Sequence, residues 1–412
     1  MTAADDLCRF VDASPTPFHA VETAAARLEE AGYTRVEETQ AWPEPGGRHL
    51  VVRGGSLVAW DDTAGESPTT PFRIIGAHTD SPNLRVKEHH DRALEGTDVV
   101  ALEPYGAPLL STWFDRDLAV AGRVALRDGT VRLVHVAEPV LRVPNLAIHL
   151  EREGAVPDKQ RGLDAVWSQS GTPFLDWLGE RSGFDGSDVL GFELMTADAV
   201  PSARVGVDGW LVAAPRLDNQ ATCFAGIEAL VAAPSSHRQV LVLFDHEEVG
   251  SSSERGAGSD LLLTVVERVV AAAGGTRDDV HRAVAGSIIA SGDMAHATHP
   301  NRPERHEPLH RIALGGGPVL KVNQNLRYAT DAVGAAEFAR ACEQAGVPLQ
   351  RYVHRADLPC GSTIGPISAA RTGIRTVDFG APQLAMHSAR ETMAAADVEH
   401  YVAALTAFLA PA

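Results

Sequence analysis

The sequence predicts an α/β protein whose main domain is interrupted by a β-rich insertion, and three observations predict it. From about residue 203 onward, short apolar runs alternate with segments of helical period, the rhythm of strand and helix units that build a largely parallel sheet. Between about 88 and 202 that rhythm gives way to short alternating segments separated by turn residues, the texture of an antiparallel domain. A length of 412 residues exceeds what one hydrophobic core usually holds, which favours two domains or one core carrying an insertion. The expected division is 1–87 and 203–412 for the two parts of the main domain and 88–202 for the inserted one.

Taken in order, residues 7–11 read as helical. A second helix begins at Thr16-Pro17, an N-cap followed by a first-turn proline, keeps Phe18, Val21, Ala25 and Leu28 on one face, and stops at Gly32. Strands are expected at 57–60 and 72–75, with a Gly/Ser/Pro-rich stretch at 61–71 reading as an exposed loop. Inside the insertion, 120–126 and 131–136 read as strands and 175–178 as a short helix. Beyond it come a helix at 219–233, a strand at 240–244, a helix at 259–273 and a strand at 285–290. The chain then reads as a helix at 331–345, a strand at 349–353, a helix at 361–372, a strand at 374–379 and a closing helix at 397–409.

Composition narrows the function classes. With 44% hydrophobic and 22% charged residues the chain is neither membrane-embedded nor disordered in character. Fifty-four acidic against 36 basic residues give a net charge of −18, which repels phosphate backbones and anionic lipid, so neither a nucleic-acid nor a membrane partner is expected. An acidic ligand must then be met by a local cation. Cys8, Cys223, Cys342 and Cys360 show no C-x-x-C spacing, as expected of reduced thiols in the cytoplasm. The acidic start and the lack of an 18-residue apolar window predict neither a secretory signal nor a spanning helix.

Several expected strands run into a side chain able to bind metal. The strand at 72–75 leads to His78 and Asp80, that at 240–244 to Asp245, His246, Glu247 and Glu248, that at 285–290 to Asp293, and that at 374–379 to His387, while Asp218 opens a helix. Alone, each carboxylate reads as a helix N-cap or a solvated loop residue. Together they point to one site, because ligands in open α/β sheets bind beyond the carboxyl ends of the strands. Two histidines and three carboxylates satisfy two divalent ions when one carboxylate bridges. The three negative charges leave one positive charge over, which a hydroxide cancels, so the set suits a nucleophile made near neutral pH. Donors of oxygen and nitrogen without thiolate suit zinc, and cobalt or manganese fits the same donors. In Glu247-Glu248, adjacent side chains of an extended segment point different ways, so one carboxylate holds metal while the other takes a proton from water. Gly315-Gly316-Gly317 lacks the Lys-Ser/Thr of a phosphate loop and reads as a turn, and Ser251-Ser252-Ser253 lacks the elbow of a serine hydrolase.

At these residues the sequence resembles the aspartyl aminopeptidases, dinuclear zinc exopeptidases. The resemblance runs in order through Ser14-Pro15-Thr16-Pro17-Phe18-His19, Ala77-His78-Thr79-Asp80-Ser81-Pro82, Asn145-Leu146-Ala147-Ile148-His149-Leu150, Arg216-Leu217-Asp218-Asn219 and Phe244-Asp245-His246-Glu247-Glu248-Val249-Gly250-Ser251. It continues through Gly292-Asp293-Met294-Ala295-His296, Lys321-Val322-Asn323, Cys360-Gly361-Ser362-Thr363-Ile364-Gly365-Pro366 and Met386-His387-Ser388. It departs at Gly292, where the family carries alanine, and at Arg302, where an aromatic residue is common.

The resemblance implies an α/β sandwich zinc-peptidase domain with an inserted β-rich dimerisation domain, and two zinc ions per subunit. It implies His78, Asp218 and Asp293 around one zinc and Asp218, Glu248 and His387 around the other. Glu247 is then the base acting on a water that bridges the ions, and Asp80 the carboxylate that fixes the His78 ring. His149 is expected to reach into a neighbouring subunit's site, with dimers assembling into a tetrahedral dodecamer. The implied substrates are peptides with an amino-terminal Asp or Glu, whose side chain Lys321 and Tyr328 receive. The residues of Lys321 argue the same way, since a lysine in the apolar run 318–322 of a strongly acidic chain is costly unless it meets a carboxylate. Two rivals are a dinuclear aminopeptidase of the same clan with a different or broader side-chain preference, and a non-catalytic cage protein, against which the intact donor set and its adjacent base argue.

Overall fold

The computed structural model describes residues 2–65, 67–152 and 158–412. Its frame is a nine-stranded sheet in the order Thr34–Arg35, Arg48–Arg53, Ser56–Asp61, Arg238–Phe244, Phe72–His78, Ile288–Gly292, Arg375–Gly380, Val319–Val322 and Gln350–Val353. The four strands from Arg238–Phe244 to Arg375–Gly380 are parallel neighbours. They are largely apolar because helices cover both faces. Alternation decides which side chain meets which layer. Ile75, Ala77, Leu241 and Leu243 pack with the helices Ala3–Ala13, Pro17–Glu30, Leu217–Ala232, Ala332–Ala345 and Ala395–Leu409. Phe72, Ile74, Val240 and Val242 pack with Leu261–Ala272, Arg277–Gly286 and Ile364–Thr372.

A second sheet of six strands is antiparallel, in the order Val131–Leu141, Leu118–Leu126, Val189–Asp198, Asn83–Leu94, Thr97–Tyr105 and Ala165–Ser168. Its own core gathers Leu84, Val100, Leu102, Val120, Val124 and Val134 around Phe174 and Leu178 of the helix Phe174–Ser182. Residue 88 falls inside the strand Asn83–Leu94, so pairing in this sheet begins five residues before that point. A third sheet of five short strands, Ala203–Val205, Leu211–Ala214, Glu391–Ala394, Pro382–Leu384 and Ala295–His296, runs beside the carboxyl ends of the parallel strands.

Three local expectations are corrected. The stretch 61–71 is a loop from Asp62 onward, as expected, but not an exposed one: Asp61 ends the strand Ser56–Asp61, Asp61 and Asp62 are buried, where they meet Arg48 and the wholly buried Arg238, and most of the rest is half-buried; Glu66 lies outside the described residues. The strand expected at 285–290 is Ile288–Gly292, because the helix Arg277–Gly286, unanticipated in the sequence, runs into it. The helix expected at 361–372 begins at Ile364, where the Thr363 hydroxyl caps it by accepting the Gly365 N–H at 3.2 Å. The triple glycine is a turn as expected, with Gly315 and Gly317 at φ of 78° and 81° and their N–H groups donated to the Asp397 carboxylate at 2.7 and 2.9 Å.

Candidate active site

The parallel strands deliver the candidate residues to one edge of the sheet. His78 is the last residue of Phe72–His78, Glu247 and Glu248 follow Arg238–Phe244 in a single 3-10 turn, and Asp293 directly follows Ile288–Gly292. Asp218 stands where the helix Leu217–Ala232 opens with non-helical backbone angles. His387 arrives later than the strand-end pattern suggested, after the short strand Pro382–Leu384 of the third sheet. His78, Asp218, Glu247, Glu248, Asp293, Lys321, Tyr328 and His387 line one cavity of about 430 Å³. Asp80 does not line it but is fully buried, and His149 stands on an exposed turn outside it. Asp245 and His246 belong to another network, in which Asp245 accepts from Arg255 Nε at 2.8 Å and the His246 ring is 2.7 Å from the Ser253 hydroxyl.

Both histidines have their tautomer set from behind. His78 Nδ1–H donates to the Asp80 backbone carbonyl at 2.9 Å and His387 Nδ1–H to that of Ala107 at 3.0 Å, which leaves each Nε2 lone pair facing the cavity. There His78 Nε2 faces Asp218 Oδ1 at 3.4 Å and Asp293 Oδ1 at 3.7 Å, while His387 Nε2 faces Asp218 Oδ2 at 3.5 Å and Glu248 Oε1 at 3.4 Å. Asp218 thus turns one oxygen to each histidine.

These separations are long for a hydrogen bond. They fit the edge between two donors of one tetrahedral ion, about 3.3 Å for donors about 2.0–2.1 Å from zinc. Asp218 Oδ1 is buried without a hydrogen-bond partner, which is costly for a carboxylate oxygen unless a cation meets it. Donor atoms of His78, Asp218 and Glu248 lie within 4.8 Å of one another. With both Nδ1 atoms donating behind them, the two Nε2 atoms and the carboxylate oxygens they face form a nitrogen and oxygen donor set that fits zinc.

Titration behaviour follows from carboxylates in excess. Burial opposes charge on His78, but Asp218, Asp293 and Asp80 outweigh it and hold the ring well above the usual imidazole range. His387 is pushed up to about 10, against burial, by Asp218 and Glu248. Asp218 lies far below the carboxylate range because the two histidines outweigh its burial. Glu248 is driven well above that range, first by burial and then by Asp218 and Glu247. Glu247 is pushed up to about 8, first by burial and then by Asp293, Asp80 and Asp218 against the pull of His78. Divalent charge in the cluster would bring both glutamates down.

The surroundings hold this geometry. Asp80 accepts the N–H groups of Glu247 and Glu248, each at 3.1 Å, and the Tyr105 hydroxyl at 2.7 Å, while its Oδ1 stands 3.4 Å from His78 Nδ1. Asp293 N–H donates to Phe379 O at 3.0 Å, and the next residue in that strand, Gly380, lies so close that a Cβ would stand 2.0 Å from Asp293 O, so glycine is required there. Lys321 is 3% exposed, with Nζ 3.6 Å from Asp293 Oδ2 and 5.4 Å from the centre of the Tyr328 ring. Tyr105, Tyr352, Asp378 and Glu391 were not anticipated as parts of the site. Tyr352 lines the cavity with its ring edge-on to His296, and Asp378 ties the cavity wall by accepting the Ser291 and Thr363 hydroxyls at 2.7 Å. The one signal for Asp378 was an acidic residue between the apolar Val377 and Phe379 of a strand; Glu391, at the start of the strand Glu391–Ala394, carried none.

Residues 10–409 match the family described as aminopeptidase I zinc metalloprotease (M18). The chain belongs to that family. A protein of Mycobacterium leprae named "Probable M18 family aminopeptidase 2" is 57% identical over 417 residues, covering 98% of each chain. Among solved structures, that of the Ape4 and Nbr1 complex aligns with a TM-score of 0.94 at 36% identity, over 99% of this chain and 85% of that one. The S. cerevisiae mApe1 dodecamer aligns with a TM-score of 0.85 at 28% identity, over 98% and 95%. Membership makes this M18 chain a zinc aminopeptidase, a hydrolase of peptide bonds, on the fold those structures share. Among the described residues of this M18 chain, no helix is long and apolar enough to cross a membrane.

Proposed function

We propose that this M18 aminopeptidase removes Asp or Glu from the amino terminus of peptides, with two zinc ions held by His78, Asp218 and Asp293 and by Asp218, Glu248 and His387. The observation that carries the reading is the Asp218 carboxylate, which gives one oxygen to each histidine at 3.4 and 3.5 Å. Zinc there would polarise the scissile carbonyl and make water a nucleophile near neutral pH. Glu247, in the same cavity, takes a proton from the attacking water and delivers it to the nitrogen of the departing amine. Asp80 keeps the main chain of Glu247 in register with its neighbour Glu248. Lys321 pairs its ammonium with the side-chain carboxylate of the substrate's first residue, beside the Tyr328 ring.

The reading extends to assembly. The inserted domain at 88–202 carries the dimer contact, and the dimers build a dodecamer. Support comes from Leu146, Ile148 and Leu150, large apolar side chains 62–73% exposed on one segment of that domain, and from the dodecameric S. cerevisiae relative. His149 lies among them and serves the partner's site. Cys8, Cys223, Cys342 and Cys360 are free thiols, in keeping with a reducing cytoplasmic setting.

The test is the initial rate of the zinc-reconstituted protein on a panel of aminoacyl chromogenic substrates. Asp and Glu substrates are expected to be turned over fastest. Equal or faster turnover of Ala or Leu substrates would return the enzyme to a broader preference.

A further inference from the structure

We infer that Glu391 is a positioning residue for the metal centre, a carboxylate that holds the main chain of two ligands lying far apart in sequence. The inference rests on the proposed reading of Asp218 and His387 as ligands. Glu391 is 2% exposed. Its Oε2 accepts the Asp218 N–H at 2.9 Å, and its Oε1 accepts the His387 N–H at 2.6 Å. On the cavity side the same two residues meet again, His387 Nε2 standing 3.5 Å from Asp218 Oδ2. One carboxylate therefore closes a ring through both backbones.

That support falls where the backbone needs it. His387 has a left-handed φ of 65°, and Arg216, two residues before Asp218, a φ of 56°, conformations that residues other than glycine keep only when their surroundings fix them. Glu391 itself is held by a ladder, in the strand Glu391–Ala394 opposite Ala214 of Leu211–Ala214. A carboxylate presents two acceptor oxygens to two N–H donors, whereas an amide has one acceptor and would turn its own N–H groups toward a donor. Asp80 serves Glu247 and Glu248 in the same manner, so four candidate site residues hang by their main chain from two buried carboxylates. The His387-side ion depends on Glu391 through both Asp218 and His387, the other ion through Asp218 alone.

The test measures zinc affinity by competition with a chromophoric chelator for the wild-type chain, Glu391→Gln and Glu391→Asp, with the d–d absorption of the cobalt-loaded proteins and the Tm of the metal-free chains. Glu391→Gln should weaken one ion about 10–100-fold and the other less, and shift the cobalt bands. Wild-type affinities in a folded Glu391→Gln chain overturn the positioning role, as does a lowered Tm with affinities and cobalt bands unchanged. If Glu391→Gln does not fold, Glu391→Asp carries the test, because it keeps the charge but is one methylene too short for both donors. Weakened binding in it supports the role and unchanged binding overturns it. A wild-type chain that binds no zinc, or a His387→Ala chain that binds it as tightly as wild type, overturns the metal reading and the inference with it.

Discussion

Lys321 sets its ammonium 3.6 Å from Asp293 Oδ2, on the wall of the cavity that the two histidines share. Among the described residues it is the only lysine in that wall, and it stands beside one candidate ligand, at hand for a second carboxylate brought by substrate. Lys321→Leu should lower kcat/KM on Asp and Glu substrates about 10²-fold or more, since an unpaired carboxylate would be left desolvated, and lower it far less on Ala or Leu substrates. Rates on the four substrates, taken with zinc content unchanged, check this. Equal loss on all four would remove Lys321 from specificity.

Glu247→Gln should cut turnover by orders of magnitude while zinc stays at about two per chain, because the change removes a proton acceptor and no ligand. Metal analysis beside the rate assay decides the matter. Loss of zinc would exchange the roles of Glu247 and Glu248.

Asp218→Ala should lose both ions together, and His78→Ala and His387→Ala should each weaken mainly one, as the two facing pairs around Asp218 require. Zinc titration of the three variants reads this directly. One tightly held ion in Asp218→Ala would contradict a shared carboxylate.

His149 lies outside its own chain's cavity, as a role in the partner's site requires. A His149→Ala chain mixed with a Glu247→Gln chain should recover activity, because a mixed dimer contains one site with both residues intact. Verified subunit exchange without recovery would end the role in trans.

What was legible in the sequence had an uninterrupted physical signature. Strands covered on both faces read as largely apolar runs, and His78 and Asp293, at or just past their carboxyl ends, marked the candidate binding edge, where ligands of open α/β sheets gather. The helix Arg277–Gly286 escaped because it buries only Val280 and Ala283 and opens on polar residues, although Thr276 and Asp279 form a capping box at its start. Asp61 and Asp62 read as loop residues because the arginines that neutralise them, Arg48 and Arg238, come from elsewhere in the fold. Glu391 and Asp378 stayed hidden for a related reason: their partners are main-chain N–H groups and hydroxyls, which leave no pattern in side-chain identity.

The facing of His78 and His387 across Asp218 also dates the birth of the site during synthesis. The two rings are contributed by residues roughly three hundred positions apart, so at about 5–20 residues per second some 15–60 s separate the polymerisation of one from that of the other. Throughout that interval the growing chain owns at most a fragment of the donor set. On the proposed donor set, hydrolytic power appears only once the chain has been made through His387, and a chain stopped short of that residue should be unable to trim itself or its neighbours.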